Sequence, residues 1–177
     1  MLDKNLLSKF NFFSDIPEDK RSAMAELGEL REYKVDDIIF RDGDTADSLC
    51  GVVAGEVELS LIFKDQVLKT DIKYEEAIQS RFEIIEKPIQ VATVIPGQIF
   101  GWSALVSDRR RTLTARCSKP SQIFSLAGDR LRALFEKDYE LGYTIMTRLS
   151  DIIAKRLRDR TDKLIETWGE AFEVDEI

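Results

Sequence analysis

The sequence contains no histidine, and only two of its 177 residues are cysteine. The absence of histidine excludes histidine general bases and histidine-ligated zinc sites. Cys50 and Cys117 stand alone in apolar surroundings, which is typical of buried thiols rather than of a disulfide or a metal pair. No activated nucleophile and no recognisable carboxylate pair remains. The sequence therefore indicates a protein that is not an enzyme.

Long apolar runs and an excess of basic residues are also lacking. No run approaches the ~18–20 apolar residues of a membrane span, and the N-terminus has no apolar core followed by a cleavage site. The net charge of −7 argues against a nucleic-acid-binding or anionic-membrane surface. We therefore expect a cytoplasmic protein with neither DNA nor a membrane as its partner. A length of 177 residues suits one well-buried domain plus an appended helix.

What the sequence does contain is a series of short runs rich in valine, isoleucine, leucine and phenylalanine. Turn residues separate these runs at intervals of about ten residues, which is typical of an antiparallel roll, sandwich or barrel. Gly43 and Gly55 are expected in turns that require a positive φ. The predicted strands are 31–34, 38–40, 48–53, 57–63, 89–95 and 121–126.

Helical periodicity appears on both sides of these runs. We predict one helix over 2–13, with Leu2, Leu6, Leu7, Phe10 and Phe13 on its inner face, and a second over 17–29, with Met24, Leu27 and Leu30 inward. A short helix is predicted over 129–135. The segment 74–85 has two interpretations: a helix with Ala77, Ile78, Phe82 and Ile85 inward, or an excursion between strands, for which a solvated loop is favoured.

A long helix is predicted from about residue 138 to residue 168. Its apolar side chains recur at three- and four-residue steps, and this stripe is too long for a single small roll to cover. We therefore predict that the helix forms a homodimer. The stripe consists of Ile145, Leu149, Ile153, Leu157, Leu164 and Trp168.

The segment 96–117 has the features of an anion site. Gly101 can bring backbone N–H groups close to a ligand, and the helical turn predicted after it leaves such groups without partners. An arginine on the following strand, Arg111, could hold a phosphate in a bidentate fork. We therefore predict a phosphate pocket in which Gly101, Ser103 and Ala104 offer N–H groups and Thr112 adds a hydroxyl.

The same segment resembles the phosphate-binding cassette of the cyclic-nucleotide-binding domain family. That pattern is roughly F-G-E-[LIS]-[AG]-L, a loop, and R-[TSA]-[AS]-[TS]-[VA]. Phe100-Gly101, Ala104-Leu105 and the run from Arg111 to Ala115 stand in the corresponding places. Trp102 replaces the glutamate that grips the ribose 2′-hydroxyl in the family. We call residues 100–112 the cassette.

The resemblance implies a mostly β fold with helices: an antiparallel jelly-roll or double-stranded β-helix, flanked by N-terminal helices and a long C-terminal helix. It divides the chain into a ligand-binding-like roll, 1–135, and a dimerisation helix with an acidic tail, 136–177. No DNA-binding helix-turn-helix is expected. Arg160 and Thr161 stand where the family's long helix reaches the base of the nucleotide.

Two functions stay open at this point. The chain is either a regulatory sensor, in which cAMP, cGMP or another phosphorylated small molecule binds the cassette, or a ligand-free dimeric scaffold. An indole donates a hydrogen bond but accepts none, so Trp102 cannot replace the glutamate as an acceptor. Any cyclic nucleotide should therefore bind more weakly than in a glutamate-bearing pocket, and without selectivity for the 2′-hydroxyl.

Overall fold

The computed structural model describes residues 2–3, 5–74 and 77–173, with side chains described outside 64–83 and 170–173. The strands are β1 (Gly28–Tyr33), β2 (Ile38–Phe40), β3 (Ser48–Ala54), β4 (Val57–Tyr74), β5 (Ala77–Val94), β6 (Ile99–Phe100), β7 (Thr114–Cys117) and β8 (Ser121–Ala127). The α-helices are α1 (Glu18–Ala25), α2 (Gly128–Lys137) and α3 (Tyr139–Glu173). Short 3₁₀ turns cover Leu7–Lys9, Asn11–Phe13 and Trp102–Leu105.

The described strands form two four-stranded sheets, ordered β1-β8-β3-β6 and β2-β7-β4-β5. Every pair of neighbouring strands is antiparallel. The predicted β-roll with flanking helices is therefore confirmed. Its interior is one apolar core, and the buried side chains there include Val52, Val57, Phe100, Ala115 and Ile123. Cys50 and Cys117 lie in this core as buried thiols, as the sequence predicts.

A second core joins the N-terminal segment and the C-terminal helices to the roll. The ring of Phe10 meets Phe124 of β8 edge-on at 4.8 Å between centroids. Burying each large apolar side chain contributes roughly 1.5–3 kcal/mol relative to exposure. This core fixes the start of α3 against the roll, and its members include Leu7, Phe13, Met24, Leu131, Ile145 and Leu149.

The N-terminal segment differs from the single helix predicted over 2–13. The five residues expected on its inner face are buried, but Phe12 is buried as well. Because Phe12 and Phe13 are adjacent, one straight helix cannot bury both together with Leu6 and Leu7. The chain instead makes two 3₁₀ turns with the extended Phe10 between them.

The predictions for 17–29 were partly wrong. Helix α1 ends at Ala25 with Met24 fully buried, as predicted. Leu30, however, lies in β1 and is 45% exposed. Gly28 starts this edge strand, and Leu2 and Leu126 leave no room for a Cβ at Gly28.

The described parts of the segment 64–90, residues 64–74 and 77–90, are neither a helix nor a loop. Strands β4 and β5 have 18 residues each and pair from Val57↔Val94 outward. The strand pairing that starts in the roll therefore continues along the inserted sequence as far as the pair Tyr74↔Ala77. The predicted inward positions of Ala77, Ile78 and Phe82 lie outside the described side chains.

Helix α3 is 35 residues long and differs along its length. Ile145 and Leu149 of the predicted stripe are buried, whereas Leu157, Leu164 and Trp168 are at least half exposed. No described helix has the length and apolar character needed to cross a membrane. The first half of α3 thus packs against the roll, whereas its second half is largely exposed.

Candidate functional site

The backbone of the cassette turns sharply at Gly101. This residue has φ of 75°, in the left-handed region, and the 3₁₀ turn Trp102–Leu105 begins directly after it. A Cβ at this position would lie 2.7 Å from Nη1 of Arg111 and 3.2 Å from the carbonyl oxygen of Ser48. Glycine is therefore required here both for its backbone conformation and for space.

The turn leaves backbone donors at its start. The Ala104 N–H donates to the carbonyl of Gly101 at 3.2 Å, so it is already used within the turn. Within the described chain, the N–H groups of Trp102 and Ser103 donate to no backbone acceptor. Two of the N–H groups of this turn thus lack a backbone acceptor, as a backbone anion nest requires.

Arg111 lies beneath this turn and is only 2% exposed. Its Nη1 donates to the carbonyl of Gly101 at 2.7 Å, and its Nη2 donates to the carbonyl of Ser48 at 2.9 Å and to Oδ1 of Asp47 at 3.2 Å. The guanidinium also lies over the ring of Phe40, 4.1 Å from the centroid. Arg111 therefore ties the start of β3 to the cassette, and only its buried Nε lacks a partner.

Trp102 is covered by a residue of α3 that the sequence analysis did not identify. The guanidinium of Arg156 lies 4.3 Å from the centroid of the Trp102 ring, and its Nη2 donates to the carbonyl of Ile99 at 3.1 Å. Burial, reinforced by the nearby charge of Arg160, lowers the pKa of Arg156 to about 10. The position of Arg156, one helical turn before Arg160, places it on the same side of α3, but this spacing does not indicate the ring that Arg156 covers.

Together these side chains leave little space at the cassette. The cavity there has a volume of about 30 Å³. Small-molecule sites usually measure about 300–1,000 Å³, so this cavity has room only for water. Trp102 and Arg156 close the side where the resemblance places the ribose. The lining residues are Phe40, Leu59, Gly101, Trp102, Ser103, Arg111, Thr112, Leu113 and Arg156.

The remaining predicted residues divide between this cavity and other surfaces. Thr112 is exposed and lines the cavity. Arg160 and Thr161 are exposed on α3 and do not line it. The Thr161 hydroxyl donates to the carbonyl of Leu157 at 2.9 Å, and Arg160 lines a separate cleft. Arg109, two residues before the predicted phosphate arginine, pairs instead with Asp129 at 3.0 Å.

Solved structures that resemble this chain include cyclic nucleotide-binding domains. A protein from Geobacter metallireducens GS-15 to which cyclic nucleotide binding is attributed is 25% identical, with a TM-score of 0.68 over 89% of this chain and 99% of that one. A cyclic nucleotide-binding domain from Methylobacillus flagellatus KT is 20% identical, with a TM-score of 0.65 over 92% of this chain and 80% of that one. No family model matches the sequence, and no curated protein matches it.

A third similar structure contains a ligand. It is the regulatory domain of Toxoplasma gondii PKA, crystallised with cAMP, and it is 15% identical, with a TM-score of 0.61 over 88% of this chain and 48% of that one. These likenesses agree with the two four-stranded antiparallel sheets and the flanking helices described above. The chain therefore has the fold of a cyclic nucleotide-binding domain.

Proposed function

We propose that the chain is a non-catalytic regulatory module of the cyclic nucleotide-binding type whose own side chains close its nucleotide pocket. In this proposal it acts as a dimeric interaction scaffold rather than as a receptor for cAMP or cGMP. The observation that carries the proposal is the cavity of about 30 Å³ beneath Trp102 and Arg156. The fold is kept, whereas the space that a nucleotide needs is filled.

The energy of this closure can be estimated from its parts. A ligand must displace a cation–π contact between Arg156 and Trp102, worth about 0.5–2 kcal/mol. The ligand also lacks the hydrogen bond that a glutamate would accept from its ribose, and such a hydrogen bond contributes about 1.5–3 kcal/mol. The sum is roughly 2–5 kcal/mol, or about one and a half to three and a half decades in affinity. These two losses would weaken a micromolar complex with a cyclic nucleotide to a dissociation constant between about 30 μM and 3 mM.

The surface of α3 supports the dimeric part of the proposal. Large apolar side chains follow one line along the helix at steps of three, four or seven residues, which is the spacing of a heptad seam interrupted at two positions. They are exposed in the single chain, and a second copy related by twofold symmetry would cover the same line on both helices. The seam consists of Tyr139, Tyr143, Met146, Ile153, Leu157 and Leu164.

A sensor is the second candidate, and the unused donors of the cassette favour it. Nε of Arg111 is buried without a partner, and the N–H groups of Trp102 and Ser103 have no backbone acceptor in the part of the chain described here. A small phosphorylated ligand with one oxygen at this nest would satisfy them. Such a ligand requires Arg156 to leave the ring of Trp102 first.

Calorimetric titration with cAMP and cGMP distinguishes the two candidates. We expect the wild-type protein to bind with a dissociation constant no tighter than about 30 μM, and Trp102→Glu, which restores the acceptor and gives Arg156 a carboxylate partner, to bind at least about tenfold more tightly. Trp168→Glu makes the same change on the exposed end of α3 and should gain nothing.

The outcomes are separable. Micromolar binding by the wild type that is lost in a folded Arg111→Ala protein would refute the closed pocket and establish the sensor. If a folded Trp102→Glu protein still binds no cyclic nucleotide, side chains other than Trp102 also close the pocket, and the scaffold is supported further. Thermal melts of each variant show whether it is folded, since Arg111 also holds the cassette to β3.

A further inference from the structure

A second and larger cavity lies beside α3, away from the cassette turn. It has a volume of about 620 Å³ and runs between the helix, the end of β5 and the turn at Gly97. We call it the basic cleft. Gly101, Ser103, Arg111 and Thr112 do not line it, so it is distinct from the cassette cavity. Its volume falls within the range of about 300–1,000 Å³ that small-molecule sites occupy.

The charge of the basic cleft opposes that of the whole chain. Lys155, Arg156, Arg160 and Lys163 line it against the single acid Asp159, four positive charges and one negative, a net of +3. The whole chain carries −7. Clustering like charges on two turns of one helix is unfavourable unless an anion offsets it.

Three of these cations take part in no ion pair of the described chain, and the fourth, Arg156, keeps an unused donor. Among the described residues, the ion pairs include none with Lys155, Arg160 or Lys163. Nη1 of Arg156 is buried and has no hydrogen-bond partner. The lowered pKa of Arg156 has burial as its first cause and the charge of Arg160 as its second. A buried donor without an acceptor is costly, and a bound anion would supply that acceptor.

The rest of the lining of the basic cleft is largely uncharged. Val91 and Ala92 of β5, Ile99 of β6 and Ile152 of α3 offer apolar surface, and Gly97 has no side chain to fill the space. A ligand that fits both parts of this lining has an anionic group at one end and an apolar or aromatic body at the other. Arginine and lysine together select phosphate, because arginine binds its oxygens in pairs and lysine adds a point charge.

We propose that the basic cleft binds a small organic phosphate, with its phosphate on Arg156, Arg160 and Lys163 and its apolar body against Ile152 and Val91. The limited volume favours a small molecule over a nucleic acid, whose long backbone the negative charge elsewhere on the chain would repel. Arg156 borders both cavities. A phosphate that draws its guanidinium into the basic cleft would take it away from Trp102.

The test uses ADP and inorganic pyrophosphate as probes, with backbone amide chemical shifts and calorimetry as readouts. ADP should move the amide signals of Gly97, Gln98 and Ile99 more than those of the cassette turn. Pyrophosphate should bind more weakly than ADP, because it lacks the apolar body. The double variant Arg160→Gln/Lys163→Gln should weaken ADP binding by at least about tenfold.

The matched control is Arg130→Gln/Arg158→Gln, which removes the same charge from α2 and from a position on α3 that does not line the basic cleft. It should change the affinity by less than about twofold. Three results would overturn the proposal: no shifts at about 10 mM of either probe in physiological salt, equal weakening in the control, or tighter binding of a short DNA duplex than of ADP. The proposed closure of the cassette pocket is tested separately, by titration with cyclic nucleotides. Either the closed pocket or the phosphate site in the basic cleft can therefore be refuted without the other.

Discussion

The two halves of α3 share one sequence pattern but have different surroundings. In the packed half, residues 139–152, Leu141, Ile145 and Leu149 are no more than 2% exposed. In the exposed half, residues 153–169, Leu157 is 65% and Leu164 is 50% exposed. The change occurs close to Arg156, where the helix passes Trp102.

The difference in exposure between the two halves follows from the length of α3. A 35-residue helix extends about 50 Å at 1.5 Å per residue, which exceeds the width of a roll of this size. The packed half therefore stabilises the fold of one chain, whereas the exposed half has apolar surface that only another molecule can cover. Amphipathic periodicity indicates that a helix has an apolar side but not what covers that side.

The strongest test of this comparison makes the same truncation in each half. Leu149→Ala should lower the free energy of unfolding by about 2–5 kcal/mol, because it opens a cavity in a packed core. Leu164→Ala should cost less than about 1 kcal/mol, because it removes an exposed side chain. Urea unfolding measures both.

Both truncations are best made in a Leu157→Glu background. Dimer formation would otherwise add to the apparent stability and make it depend on protein concentration. Equal losses at Leu149 and Leu164 would show that the exposed half is packed in the single chain, and the comparison would then be wrong.

The second prediction concerns association. In the proposed dimer, Leu157→Glu places two carboxylates in an apolar seam, and we expect the affinity of the two chains to fall by at least tenfold, to give monomers at micromolar concentration. Arg158→Glu adds a carboxylate one position along the helix, off the seam, and should leave the dimer intact. Light scattering measures the mass of each. A wild-type protein that is already monomeric at these concentrations would refute the dimer.

Much of the fold could be predicted because its determinants are local. The positive φ of Gly43, Gly55 and Gly101 follows from turns that few other residues can make. The burial of Phe10 and Phe13 follows from apolar spacing. The hairpin of β4 and β5 could not be predicted, because amphipathic sequence without turn signals fits a helix and a strand about equally.

The site was harder to predict because its decisive contacts join distant parts of the chain. The motif identified Gly101 and Arg111, and the structure places them 2.7 Å apart, from carbonyl oxygen to Nη1. The motif did not indicate that Asp47 and Ser48 would accept hydrogen bonds from the guanidinium of Arg111. Nor did it identify Arg156, since a single arginine on a charged helix carries no signal of the ring it covers.

The smallest expected effect concerns the ionic contacts that anchor the packed half of α3. Asp138 accepts a hydrogen bond from the N–H of Leu141 at 3.0 Å, and its other oxygen lies 2.9 Å from Nζ of Lys20 on α1. The hydrogen bond from Leu141, followed by that from Lys20, lowers the pKa of Asp138 below its ordinary value of 3.8. The folded protein therefore binds fewer protons at this site than the unfolded chain does.

A carboxyl group whose pKa is lowered by folding stabilises the folded protein at a pH above the pKa of the unfolded state. This stabilisation is lost as the pH falls through the pKa of the folded state. Wild type should thus be more stable than Asp138→Asn at pH 7, and the two should converge below pH 3.8. The amide still accepts the Leu141 hydrogen bond, so the difference isolates the charge. Asp151→Asn, which removes a carboxylate from an exposed turn of the same helix, is the control for the general effect of lost charge. If the gap between wild type and Asp138→Asn stays constant down to the acid transition, Lys20 and Asp138 do not anchor α3 through their charges.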